Sequence, residues 1–134
     1  MLTSSGAATG AYSTWGSYGS SKAALNHLAL TLAVEEPSIT SLALRPGVVD
    51  TDMQALIRSK SAVMDGKDAE KFKSLYEGGH LVKPEEIGAA MAEIALALSG
   101  GGVKEYSGKF LKLVYFRCEM PFSFPLCWLC CARC

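Results

Sequence analysis

Cysteine is missing from the first 117 residues of this 134-residue chain; all five crowd the last stretch as Cys118, Cys127, Cys130, Cys131 and Cys134. A disulfide framework running through the body of the chain is thereby excluded. An excess of charge is missing too. Thirteen Lys and Arg balance thirteen Asp and Glu, with no basic cluster, which argues against nucleic acid or an anionic membrane as the main partner. No apolar run reaches the roughly 18 residues of a spanning helix. The start, Met1-Leu2-Thr3-Ser4-Ser5, has neither the basic residues nor the apolar stretch of a signal peptide. No membrane and a cytoplasmic, reducing setting are the expectations.

What remains is a chain in which 49% of residues are apolar, enough for one small domain with a single core. Met1 to Ser5 reads as the end of a strand, and Gly6 to Gly16, rich in Gly, Ala, Ser and Thr, as a loop passing close to a ligand. Ser17 to Glu35 favours helix. No charged side chain lies between Lys22 and Glu35 apart from His27, so this helix should be buried nearly all round or packed on a partner subunit, giving a homo-oligomer through helix 17–35. Ile39 to Leu44 reads as a buried strand stopped by Arg45-Pro46-Gly47.

Helices are expected over Asp52–Lys60 and over Asp65–Glu77, the latter with Ala69, Phe72, Leu75 and Tyr76 on its apolar side and Gly78-Gly79 as its stop. Pro84, followed by Glu85 and Glu86, opens another helix. Its stripe is Ile87, Ala90, Met91, Ile94 and Leu98, and Gly100-Gly101-Gly102 ends it. Tyr106–Tyr115 reads as a last strand. Strands alternating with helices indicate an α/β layer structure with a parallel sheet.

The chemistry concentrates in Tyr18-Gly19-Ser20-Ser21-Lys22, with Ser5 thirteen residues before the tyrosine. A tyrosine and a lysine four apart on a helix share one face, about 6 Å apart along the axis. A phenol is a poor acid or base near neutral pH, and an ammonium held close favours its ionised form, which suits it to general acid–base work. Ser5 could hold a substrate oxygen in line with the tyrosine. A Y-x-x-x-K pair alone is a weak signal, so its neighbours decide its meaning.

Those neighbours are Ser4-Ser5-Gly6-Ala7 before it, Lys22-Ala23-Ala24 within it, and Arg45-Pro46-Gly47-Val48-Val49-Asp50-Thr51 after it. The three motifs, in this order and spacing, resemble the C-terminal half of a short-chain dehydrogenase/reductase over residues 1 to 112. The fuller string Lys22-Ala-Ala-Leu-Asn-His27, with Glu35-Glu36-Pro37-Ser38, is similar to the fungal benzil reductases and their sepiapterin reductase relatives.

The resemblance implies a partial Rossmann-type, doubly wound parallel sheet. It implies that Ser5 orients a substrate carbonyl, that Tyr18 protonates it, and that Lys22 assists the tyrosine and bonds the nicotinamide ribose. Pro46, Gly47, Val49 and Thr51 would lie along the cofactor, Val49 against the nicotinamide amide and Thr51 near the phosphates. The segment from Asp52 to Gly79 would be the substrate lid. The cofactor implied is NADP, with NAD left open, and the substrate a small carbonyl compound or diketone; no metal is implied.

The family's T-G-x-x-x-G-x-G turn, its N-N-A-G segment and the asparagine expected before the serine do not occur in these residues. The chain therefore reads as a partial gene product in which residues 1–112 are the C-terminal part of the domain. Residues 113–134 read as an atypical, irregular Cys-rich tail. Two alternatives stand beside the reductase: a catalytically inactive fragment acting as an interaction module, and a metal module in which Cys127, Cys130, Cys131 and Cys134 hold zinc.

Overall fold

The structure, a computed structural model, describes residues 1–99 and 104–113. Three parallel strands, β1 (Leu2–Thr3), β2 (Ala43–Arg45) and β3 (Phe110–Lys112), form one sheet in the order β1-β2-β3. Leu2 pairs with Ala43, and Ala43 in turn with Phe110. Helix α1 (Gly16–Glu35) links β1 to β2; α2 (Asp52–Ser59), α3 (Gly66–Glu77) and α4 (Pro84–Ser99) lie between β2 and β3. Parallel strands need such crossovers, and the result is a partial Rossmann-like α/β fold.

Alternation along the β2 segment assigns the two faces of the sheet. Leu42 and Leu44 are buried in one cluster with Ile87 and Ala90 of α4 and with Leu111 and Leu113. Ser41 and Ala43 face the other way, and the Ser41 hydroxyl donates to the Ala29 carbonyl of α1. So α4 covers one face and α1 the other. Gly108, at φ +80°, opens β3 where the chain must pass close to α1; a Cβ there would lie 3.1 Å from that of Ala33.

Several expectations are corrected. Helix α1 is not buried all round: Ala29 is its one buried residue, while His27, Leu28, Leu30 and Val34 are exposed. A helix against a three-stranded sheet covers only the side that meets the strands, so an apolar sequence does not by itself bury the rest. The strand expected at Ile39–Leu44 begins at Ala43, and Ile39 is exposed on the turn after α1. The last strand does not start at Tyr106, which ends a short 3₁₀ turn (Lys104–Tyr106); Ser107 and Gly108 then redirect the chain into β3.

Tyr76 of α3 is exposed rather than on its packed side, with the Arg58 guanidinium 3.9 Å over its ring. The other helices form as read. Asp65 caps α3 by accepting from the Lys67 N–H, and Ile87 and Ala90 anchor α4. Leu113, expected in the irregular tail, instead joins the core and donates its N–H to the Arg45 carbonyl, because the chain continues alongside β2 past Lys112. The Leu98 side chain, the Gly100–Gly102 stop and residues 114–134, with the zinc alternative, lie outside the described residues.

Candidate active site

Ligands of open parallel sheets bind beyond the carboxyl ends of the strands, and the candidate residues gather at that edge. β1 runs into buried Ser4 and then Ser5; its neighbour β2 runs into Pro46 and Gly47. Ser5 caps a 3₁₀ turn, Gly6–Ala8, its hydroxyl oxygen accepting from the Ala7 N–H at 3.2 Å. A hydroxyl used in this way still has its O–H to donate.

Tyr18 and Lys22 stand in the first two turns of α1, both half-buried. The Lys22 ammonium donates to the Thr3 carbonyl at 3.0 Å, two residues before Ser5, and lies 5.7 Å from the centre of the Tyr18 ring. The Ser4 hydroxyl reaches back to the Lys22 carbonyl at 3.4 Å. Gly19 allows α1 to come this close: a Cβ on it would meet the Ala7 carbonyl oxygen at 2.8 Å. Tyr18, Lys22 and the Ser5 turn are thus brought to one strand end.

After β2 the chain turns at Gly47, whose φ of +90° suits glycine and whose missing side chain faces open space. Val49 then forms an isolated parallel bridge with Val82. The Val82 N–H donates to the Val48 carbonyl, and the Asp50 N–H to the Val82 carbonyl. In a parallel pairing those bonds belong to the flanking residues, so the N–H and C=O of Val49 itself point away from Val82. Thr51 begins α2 with its side chain unengaged as a cap; its hydroxyl donates to the Val49 carbonyl at 3.4 Å. Pro46, Gly47, Val49 and Thr51 accordingly form one rim next to the Ser5 turn.

Sequence reasoning did not identify a group of rings beside Tyr18. Trp15 meets Tyr18 edge-on at 5.6 Å, Phe72 of α3 stacks on Trp15 at 5.5 Å, and Tyr12 touches both Trp15 and Phe72. The signal was present as aromatic residues at positions 12, 15 and 18, but nothing in the sequence tied Phe72 to them. A cleft of about 350 Å³ runs between the turn at Ala7–Tyr12 and the Gly16, Gly19 and Ala23 side of α1. Residues 18 and 22 lie on a different side of that helix, so this cleft is separate from the tyrosine–lysine face.

Comparison with known proteins places the chain. The family model for short chain dehydrogenases matches residues 1–62, a span holding every candidate residue named above. An uncharacterized oxidoreductase of Schizosaccharomyces pombe is 46% identical over 98 residues, covering 72% of this chain and 40% of the relative. A benzil reductase ((S)-benzoin forming) of Saccharomyces cerevisiae is 42% identical over 100 residues, covering 72% and 38%. The crystal structure of the KRED1-Pglu enzyme superposes with a TM-score of 0.73 at 42% identity, over 81% of this chain and 45% of that one. The chain thus spans about two fifths of the length of the curated relatives it matches. With the sheet order, the serine turn, the tyrosine–lysine helix and these likenesses in agreement, the chain belongs to the short-chain dehydrogenase/reductase family.

Proposed function

We propose that the chain carries the proton-delivering side of an NADP-dependent carbonyl reductase site whose substrates are small ketones or 1,2-diketones. The observation that carries the reading is the Lys22 ammonium, held between the Thr3 carbonyl and the Tyr18 ring at the strand end that leads into Ser5. The benzil reductase among the relatives supplies the diketone class; NADP in preference to NAD is our own inference, resting on the motif resemblance of the sequence alone.

The residues present fit the nicotinamide half of a dinucleotide. Gly47 leaves open space on the rim, and Val49 offers a backbone donor and acceptor directed away from its bridge. Lys22 keeps two of its three ammonium donors for ribose hydroxyls after bonding Thr3. When bound, the cofactor supplies the hydride. Ser5 donates its O–H to the substrate carbonyl oxygen and fixes it, its own oxygen steadied by the Ala7 N–H. Tyr18 delivers the proton to that oxygen as negative charge builds there, and the nearby ammonium stabilises the phenolate left behind.

The test is NADPH oxidation with benzil, alongside NADPH fluorescence on titration with the chain. Turnover is expected, and Tyr18→Phe should lower it by about a hundredfold or more while cofactor binding persists. Unchanged NADPH fluorescence at millimolar cofactor would rule the reading out for this chain. A second reading is favoured by exposed Leu28, Leu30 and Val34 on α1, which suit a contact with another protein surface, a second copy of this chain included. It predicts association without turnover.

A further inference from the structure

Tyr12, Trp15 and Tyr18 recur at intervals of three where the loop enters α1. Trp15 occupies the middle of this series and meets both of the other rings. It stacks on Phe72 with an interplanar angle of 16° and stands nearly perpendicular to Tyr18, at 86°. Phe72 is buried and belongs to α3, in the segment that follows the proline-glycine turn. Among the described residues no ring contact joins Phe72 to Tyr18; Trp15 alone lies between them.

Two polar contacts fasten α3 to the same loop. The Asp68 carboxylate accepts from the Ser13 N–H at 3.3 Å, and the Lys71 ammonium donates to the Tyr12 hydroxyl at 2.9 Å. Asp68 and Lys71 are three apart and therefore present one side of α3 to the loop, Phe72 beside them. The residue before Trp15 is strained: Thr14 has φ +68°, a region that a β-branched side chain rarely adopts. Such a conformation persists only where its surroundings over-determine it, and these surroundings are the ring stack and the two anchors.

We propose that Trp15 is a positioning residue that couples the segment carrying α3 to the Tyr18 ring. A tryptophan is a rigid plate. If α3 moves, the Phe72 stack is lost, Trp15 shifts, and the edge contact that sets the Tyr18 ring angle changes with it. Seating of α3 against the loop thereby sets the aim of Tyr18. The catalytic consequence rests on the proton-donor reading above; the mechanical coupling does not.

The test is NMR of the full chain carrying ring-labelled tyrosine, with Tyr18 assigned from Tyr18→Phe and Tyr106 as a reporter of intact folding. Phe72→Leu should move the Tyr18 ring resonance, and in a Trp15→Leu background the same change should move it no further. Trp15→Phe, which preserves a stacking plate, should restore the response. A Tyr18 resonance indifferent to Phe72→Leu, with Tyr106 unmoved, overturns the proposal.

If Phe72→Leu disturbs Tyr106 as well, Asp68→Ala serves in its place. It frees the Ser13 anchor at the surface and should move Tyr18 in the same direction by less; no movement overturns the proposal. In the reductase assay, Trp15→Leu should lower kcat about tenfold and leave the cofactor KM unchanged. A wild-type chain without turnover counts against the reductase reading, and the tyrosine resonances then decide the coupling by themselves.

Discussion

Lys22 is worth separating into its two contacts, because they predict different losses. Its bond to the Thr3 carbonyl is exposed, and a single such bond contributes about 1 kcal/mol or less to stability. Its charge near Tyr18 matters at a different step, where a phenol must give up a proton. Lys22→Met should therefore leave the thermal midpoint within a few degrees of the parent while turnover falls about a hundredfold or more. Lys22→Arg is not a conservative rescue, since a planar guanidinium cannot take the place of a compact ammonium between a carbonyl and a ring. Equal losses in stability and in turnover, measured by calorimetry and by NADPH oxidation, would assign Lys22 a structural role only. Thr14 makes the opposite case. Asparagine tolerates the left-handed region far better, so Thr14→Asn should stabilise the chain by about 1 kcal/mol in a denaturant titration.

At the scale of elements, the approach of α1 to the Ser5 turn depends on a missing methyl group. A Cβ on Gly19 would stand 2.8 Å from the Ala7 carbonyl oxygen, and backbone cannot swing aside as a long side chain does. Gly19→Ala should cost about 1–3 kcal/mol by overpacking. It should also lower turnover, because the turn that yields is the one Ser5 caps. Gly6→Ala is a useful contrast: the atoms nearest its new methyl belong to the guanidinium end of Arg45, which can move, and the expected cost in a urea titration of both variants is smaller.

The same two elements show what could be read from sequence. The Tyr18–Lys22 helix, the Pro46–Gly47 turn and the Gly78–Gly79 stop of α3 are legible because each depends on local spacing or on one residue's backbone preference. The length of β2, the exposure of Tyr76 and the Trp15–Phe72 stack are not, because each is decided by contacts between residues far apart in the chain. Ile39 illustrates the limit: apolar and β-branched, it reads as strand, yet it lies exposed on the turn that follows α1, where no strand among the described residues pairs with it.

For the molecule as a whole, the open question is what meets the outer side of α1. Leu30 is 52% and Val34 73% exposed, one turn apart, with exposed His27 a further turn towards the N-terminus on the same side. Adjacent exposed apolar side chains on a long helix are uncommon in a monomer and common at a helix–helix contact. β1 adds to the pressure to associate, since among the described residues it pairs on one side only, with β2. If a second copy covers α1, sedimentation velocity over a range of concentrations should show a reversible shift from monomer to a larger species. Leu30→Lys combined with Val34→Lys should weaken that association at least tenfold, since two copies would then bring four ammonium groups into one contact. Both side chains are more than half exposed, so the far-ultraviolet circular dichroism should be unchanged. A wild-type chain that stays monomeric throughout the series, or a double-lysine variant that associates as strongly as the parent, would mean that α1 does not meet a second copy of itself.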